Sequence, residues 1–384
     1  MTDGKTMNVA HVIDSGGMYG AEMVLMNLLA AQRSQGNASI LISLGKAGEG
    51  PKPIETAAQR RNIPCIPLRL CRRGALSGGM QIVNTALASG AKLVHSHGYK
   101  GDILLGLMPR RTRKVPVVST LHGLTAKNIF SRIGIYRTLD AVLLRRFESV
   151  VAVSAATARH PIIRKCGIKP VVIPNGIPML NFRDPFDDHV FHGILSECQN
   201  DIKLLSIGRL SVEKGHAVLI QALAKLVSRS LDVGVVIIGE GPEQEHLKTL
   251  AKAHNIADRV HLKGYCSDAY VLIPYYDALV LSSYTEGFPV TLLETMQAGT
   301  PVVATKVGDM PDILENGKCG TLSAPGNPDA LAAAIEKTVL GQRQSTLVKA
   351  QKAKERALSL YTSEKMEGLY AEHYERAILR FQKE

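Results

Sequence analysis

Short apolar, β-branched runs recur through the first half of the chain, at 8–13, 39–44, 92–96, 115–121, 150–153 and 171–174. Each has the length and composition of a strand buried on both faces. Segments with helical apolar spacing lie between them, 21–34 being the clearest. Strands alternating with helices predict an α/β fold in which a parallel sheet carries helices on both faces.

The rhythm breaks over 181–201, around Arg183-Asp-Pro-Phe-Asp-Asp188, which reads as a linker. It then resumes with runs at 203–207, 234–238, 260–262, 279–282 and 301–304. The expectation is two doubly wound, Rossmann-like domains of similar size, 1–182 and 183–363, with no shorter repeat of the solenoid kind. The tail, 364–384, reads as a helix with Met366, Leu369, Tyr370, His373 and Tyr374 near one face. Such a helix needs a surface to cover.

Composition refines this only slightly. The 384 residues are 45% apolar and 21% charged, an ordinary globular balance. The start, Met1-Thr-Asp-Gly-Lys-Thr-Met7, lacks a secretory pattern, and no apolar run approaches the roughly 20 residues that span a bilayer. A cytoplasmic location is expected. The six cysteines, at 65, 71, 166, 198, 266 and 319, form no Cys-x-x-Cys and read as free thiols.

Charge changes the picture more. Lys plus Arg exceed Asp plus Glu by 46 − 34 = 12. Basic clusters fall in the first half: Arg69, Arg72 and Arg73; Arg110, Arg111, Arg113 and Lys114; Arg132, Arg137, Arg145 and Arg146. A solvated face and a peripheral contact with anionic membrane both fit this pattern. Nucleic acid is not expected as a partner, because no nucleic-acid motif accompanies the charge.

Doubly wound domains bind ligands at the carboxyl ends of their strands, and two such domains are expected to face each other across a cleft. Four segments stand at predicted strand ends. Ser15-Gly16-Gly17-Met-Tyr-Gly-Ala-Glu22 offers glycines and a following helix start, which suits an anion or simply a tight turn. His97 and His122-Gly123 end two strands. Gly208-Arg209, followed by Lys214-Gly215, suits a diphosphate, Arg gripping two oxygens and Lys adding a mobile charge. The most specific is Ser282-Ser-Tyr-Thr-Glu286-Gly287-Phe288-Pro289-Val290-Thr291-Leu-Leu-Glu294. Gly287 permits a turn, Pro289 suits the first helical position, and the amides of Phe288, Val290 and Thr291 are left to bind a ligand. Two glutamates alone would also suit a salt bridge or a hydrolase.

Together these segments resemble the signature of retaining GT-B glycosyltransferases of family GT4. Val153-Ser154 and Pro174-Asn175-Gly176-Ile177 fit the same pattern, and the matches fall in the family's order over nearly the whole chain. The resemblance implies that Arg209 and Lys214 bind the donor diphosphate and that Glu294 holds the ribose hydroxyls. It gives Glu286, with the backbone of Gly287, Phe288, Pro289 and Val290, to the transferred sugar, and His122 to the reacting centre. It places Gly16 and Gly17 near the phosphate or the acceptor, and Lys263-Gly264-Tyr265 near the base, uridine by family frequency. It implies a final helix that crosses back to the first domain. The acceptor class is a glycan, lipid-linked or phosphorylated molecule.

The family's favoured picture is same-face attack, with the leaving phosphate helping to take the acceptor proton. No Asp-x-Asp triplet occurs, so no metal or other cofactor is expected. One departure is the Gly-Gly-Met-Tyr-Gly-Ala-Glu loop, longer than the Gly-Gly-Ala-Glu of many relatives. An epimerase or hydrolase, and a binding protein without turnover, remain as competing readings.

Overall fold

The computed structural model describes residues 7–18, 20–71, 74–123 and 132–383. Tyr19 of the glycine loop and Arg72 and Arg73 of the first basic cluster lie outside them, as does the side chain of Arg132. The chain forms two compact units, Met1–Pro178 with Leu360–Glu384, and Met179–Ser359.

The first unit is built on β1 (Val9–Ile13), β2 (Ile40–Lys46), β3 (Cys65–Leu70), β4 (Leu93–His97), β5 (Val117–Leu121), β6 (Ser149–Ala152) and β7 (Val171–Val172). All pair in parallel, in the order β3-β2-β1-β4-β5-β6-β7. β1, β4 and β5 are buried at every position, as strands covered by helices on both faces must be. Ala10, Val12, Ile42, Val94, Val117 and Leu144 belong to one core cluster of this unit; Ile13, Leu25, Leu29 and Leu41 belong to a second.

The second unit repeats the plan with β8 (Ile202–Ile207), β9 (Val233–Ile238), β10 (Val260–Leu262), β11 (Ala278–Leu281), β12 (Val302–Thr305) and β13 (Thr321–Ser323). The order is β10-β9-β8-β11-β12-β13, again all parallel. Its core joins Leu204, Val235 and Val280 to Leu219, Leu223 and Ile335 from flanking helices.

The returning helix Ser363–Lys383 packs on the first unit, against the helix Gly20–Ser34 and β5. It buries Met366, Tyr370, His373 and Tyr374. The crossing is made at Pro174-Asn175-Gly176-Ile177. Ile177 N donates to Tyr361 O at 3.0 Å, and Ser363 N donates to Ile177 O at 2.9 Å. A Cβ on Gly176 would overlap the Thr362 carbonyl, so only glycine lets the strands of chain pass this closely.

Three expectations need correction. The 181–201 stretch is not a bare linker: it carries the helix His189–Glu197, started by Asp188, whose Oδ1 accepts from Val190 N at 2.9 Å. Val190, Phe191, Ile194 and Leu195 recur in it at helical spacing, and Phe191 and Ile194 are the pair it buries. Two strands went unread. β3 is a half-buried edge strand holding Pro67 and Arg69, and β13 has three residues. Pro289 is the residue before the helix Val290–Ala298 rather than its first turn, with φ −74° and ψ 117°.

Candidate functional site

In the second unit the strand order reverses between β8 and β11, the place where doubly wound sheets open a crevice at their carboxyl ends. The Arg209–Lys214 loop leaves β8 and the Glu286 loop leaves β11, so topology alone makes them neighbours. Hydrogen bonds stitch them together. Ser282 Oγ donates to Lys214 O at 3.1 Å, and Tyr284 N donates to Glu213 O at 2.8 Å. Gly215, at φ +65°, sits so near the Ser282 carbonyl that a Cβ would strike it.

This seam sets one ion pair. Lys214 Nζ lies 2.5 Å from Glu286 Oε1, which also accepts from Ser283 Oγ at 2.7 Å. The Glu286 side chain is 9% exposed and that of Lys214 is 29% exposed, so the cation is the member that solvent or ligand reaches. Arg209 is exposed. Glu213 is held below the usual carboxylate range first by the Ser211 hydroxyl, with the Arg209 and Lys214 charges adding to it. Behind the loop, buried His216 has its imidazole pulled down to about 4, by burial first and then by Lys214. It is neutral and adds no charge to the cations it supports.

Glu294, one turn into the helix Val290–Ala298, stands apart from this pair. Burial, and secondarily Asp268, raise its carboxyl to about 7. Val290 and Thr291 open that helix, where amides lack intrahelical acceptors, and Phe288 and Pro289 are buried beneath the turn.

Lys263, Gly264 and Tyr265 follow β10. Gly264 O accepts from Gly239 N at 2.7 Å, and Tyr265 N donates to Glu240 Oε1 at 3.3 Å. The Tyr265 ring is 75% exposed, whereas the Lys263 ammonium is engaged by Glu197. Glu240 itself was not among the expected residues. It sits in Gly239-Glu240-Gly241-Pro242 directly after β9, a glycine-rich strand end that the same strand-end rule would have selected.

In the first unit the order reverses between β1 and β4. Gly17 lies within a small turn: its amide donates to Ser15 Oγ at 3.2 Å, and that hydroxyl donates back to Gly17 O at 2.7 Å. Gly16 is exposed, and a Cβ there would meet nothing within 4 Å. Beside this loop Asp14 pairs with Lys52 at 2.6 Å and Lys100 at 2.7 Å. Burial alone would raise the Asp14 carboxyl, but its bonds to Lys100 and Lys52 outweigh it and hold the group low. Neither lysine was singled out from sequence, since 38 and 86 residues separate them from Asp14.

His122 is the end of a row. Its Nε2 lies 2.9 Å from His97 Nδ1, His97 Nε2 lies 2.9 Å from His11 Nδ1, and His11 Nε2 lies 2.9 Å from Gln32 Oε1. Burial pulls His11 and His122 down to about 4. Burial first, then neighbouring histidines, holds His95 and His97 well below the ordinary imidazole value. The row is therefore uncharged at neutral pH.

The basic clusters are partly consumed by the fold, so only some of their cations remain available to a partner. Arg113 is fully buried, donating to Arg146 O at 2.6 Å and lying over the Phe147 ring. Arg110 pairs with Glu148 at 3.1 Å, and Arg69 pairs with Glu55 at 2.9 Å. Arg111, Lys114, Arg145 and Arg146 stay exposed. Among the described residues no helix is long and apolar enough to cross a membrane.

Comparison with known proteins agrees with this architecture. Residues 18–179 match the model described as Glycosyltransferase Family 4, and residues 191–357 match Glycosyl transferases group 1. The chain is 31% identical over 237 residues to phosphatidyl-myo-inositol mannosyltransferase of Mycolicibacterium smegmatis, covering 60% of this chain and 58% of that protein. It is 30% identical over 255 residues to glycogen synthase of Mycobacterium tuberculosis, covering 64% and 59%. The chain thus spans less than two thirds of the length of these relatives. Among solved structures, HepE of Anabaena in complex with UDP superposes with a TM-score of 0.81 at 23% identity, over 96% of this chain and 100% of that one. With both sheets of the GT-B fold present and both family models matched in order, the chain belongs to the family 4 glycosyltransferases.

Proposed function

We propose that the chain transfers a hexose-type sugar from a UDP-linked donor to a glycan, lipid-linked or phosphorylated acceptor, with retention at the anomeric carbon and without a metal. The observation that carries this reading is the Lys214–Glu286 pair at the second sheet's reversal point, beside exposed Arg209. The UDP bound to the HepE relative supports the choice of base.

In this reading Arg209 and Lys214 take the diphosphate, and Glu294 accepts from ribose hydroxyls. The bond from the anomeric carbon to the β-phosphate oxygen breaks, and its electron pair stays on the leaving UDP. Negative charge grows there, where Arg209, Lys214 and the amides of Val290 and Thr291 stabilise it. The acceptor oxygen bonds the anomeric carbon from the same face, and its proton passes to the leaving phosphate. Glu286, with the backbone of Gly287 to Val290, orients the sugar and flanks its positive charge. His122 accepts from a sugar hydroxyl. Tyr265 borders the base, and Gly16 and Gly17 border the phosphate or the acceptor. Lys263 reaches the base only on leaving Glu197.

A thermal-shift panel of nucleotide sugars tests the donor, because a ligand of the folded state raises its apparent stability. A transfer assay on Glu286→Ala and Lys214→Ala tests the residues, and wild-type rates in both would sink the assignment. Free or isomerised sugar without glycosylated acceptor would favour a hydrolase or epimerase, and binding without any turnover a scaffold.

We also propose that exposed Arg111, Lys114, Arg145 and Arg146 meet anionic membrane. Co-sedimentation with vesicles that did not depend on anionic lipid or salt would count against it.

A further inference from the structure

Gln32 lies inside the first unit, 2% exposed, on the helix Gly20–Ser34. Its amide has an accepting end and a donating end. Oε1 faces His11 Nε2, and the side chain also hydrogen-bonds Tyr374 from the returning helix. Two branches leave this one amide. The first runs through His11 and His97 to His122. The second runs from the Tyr374 hydroxyl, 2.7 Å from His95 Nδ1, through His95 Nε2 to Thr120 Oγ1 at 2.7 Å and on to the Tyr370 hydroxyl at 2.9 Å.

His11, His95 and His97 are close enough to suggest a metal cluster. Both ring nitrogens of each are already engaged in these bonds, so the row is satisfied by its own members.

A neutral imidazole carries one ring proton, so each bond in the row dictates the next. A carbonyl oxygen only accepts, which puts the His11 proton on Nε2 and leaves Nδ1 to accept. His97 then donates from Nε2 and accepts at Nδ1. His122 must donate from Nε2, which leaves its Nδ1 as a bare lone pair. That atom has no hydrogen-bond partner among the described residues. Turning the Gln32 amide over would reverse every proton in the row and make His122 Nδ1 a donor.

We infer that Gln32, acting through His11 and His97, is a positioning residue that holds His122 as the Nε2–H tautomer and presents Nδ1 as an acceptor for a substrate hydroxyl. This rests on the reading of His122 as a sugar-contacting residue. Tyr374, which hydrogen-bonds the same side chain, is the second anchor.

The test is a long-range proton–nitrogen imidazole correlation spectrum of the full 15N-labelled chain, with kinetics on the same variants. Wild type should show His122 in one tautomer, protonated at Nε2. Gln32→Met and Tyr374→Phe should each give mixed His122 tautomers, with kcat down about tenfold and KM for the nucleotide sugar little changed. Gln32→Glu, as the carboxylate, is acceptor-only towards His11 Nε2–H and should keep the single tautomer and most of the rate. Tyr374→Phe preserves ring volume and guards against misfolding of the Met variant. Protonation at Nδ1 in wild type, or an unchanged single tautomer in both disrupting variants, would overturn the inference. If His122→Ala transferred sugar at the wild-type rate, the reading of His122 would fail, while the tautomer result would stand or fall separately by the spectra.

Discussion

The two units share a plan and differ in how they treat charge. Each reverses its strand order once, at β1 and β4 in the first and at β8 and β11 in the second. At the first reversal the strands carry neutral histidines hydrogen-bonded in a row, and at the second the loops carry Lys214, Glu286 and exposed Arg209. Topology chooses the address in both cases, and the side chains decide the use. Neutral, directional groups orient hydroxyls; exposed cations gather an anion.

The sharpest attack on this contrast is Lys214→Ala. It removes a cation from the proposed leaving group and strands a mostly buried Glu286. Transfer should fall by about 10²–10³. Combining it with Glu286→Ala should cost much less than the sum of the two single losses, as for residues that act as a unit. Additive losses in the kinetic cycle would mean the pair does not function together.

Acid should act first on the first unit. Histidines whose folded pKa is depressed give stability that is present above the unfolded value of 6.5. It is lost as pH falls from 6.5 towards about 4, the value for His11 and His122. In the second unit His216 is buried in this way at its site, and half-buried His261 is lowered by burial too, so fewer imidazoles are at stake there than in the first unit's row. Hydrogen exchange at pH 7.5 and pH 5 should show β1, β4 and β5 losing protection before β8 and β11. Equal loss in both sheets would contradict the contrast.

Glu294 offers a smaller effect of opposite character. A ribose pair needs the carboxylate, and this carboxyl sits near 7. Nucleotide affinity should therefore improve about tenfold from pH 6 to pH 8, the change expected for one proton released on binding. Glu294→Gln should flatten that profile, as titration calorimetry would show.

The smallest prediction extends the first unit's neutrality. Burial raises Asp140 to about 9 and Asp102 to about 7, and the two carboxyls interact. Raised carboxyl pKa values mean stability present below 3.8 that is lost as pH rises through the folded values. Asp140→Asn should raise Tm by about 2–4 °C at pH 8 and by less at pH 5. A fall at both would assign Asp140 an ionised structural role instead.

How much of this could be read in the chain depends on whether the partners lie near each other in sequence. The Arg209, Lys214 and Glu286 loops are legible because glycine and proline punctuate them and because they follow apolar runs. His97 and His122 are legible as strand ends. His11 and Gln32 are not: one sits inside a buried strand, the other on a helix that shows only apolar spacing. His11 meets His97 because β1 pairs with β4, which sets His11 opposite His95, two residues before His97. Asp14 with Lys52 and Lys100 is hidden for the same reason. The basic run at 110–114 is legible only in part, because sequence does not show that Arg113 points inward and that Glu148 pairs with Arg110. The helix His189–Glu197 escaped because the Asp-Pro-Phe-Asp-Asp run before it has a linker's composition, although Val190, Phe191, Ile194 and Leu195 recur at helical spacing.

The crossing at Gly176 also sets a timetable for folding. Because Tyr370 and Tyr374 close the first unit's polar network, that unit cannot be completed on the ribosome until the final helix has emerged. The second unit, continuous from Met179 to Ser359, is available earlier. During synthesis, the half of the molecule that begins first is the half that finishes last.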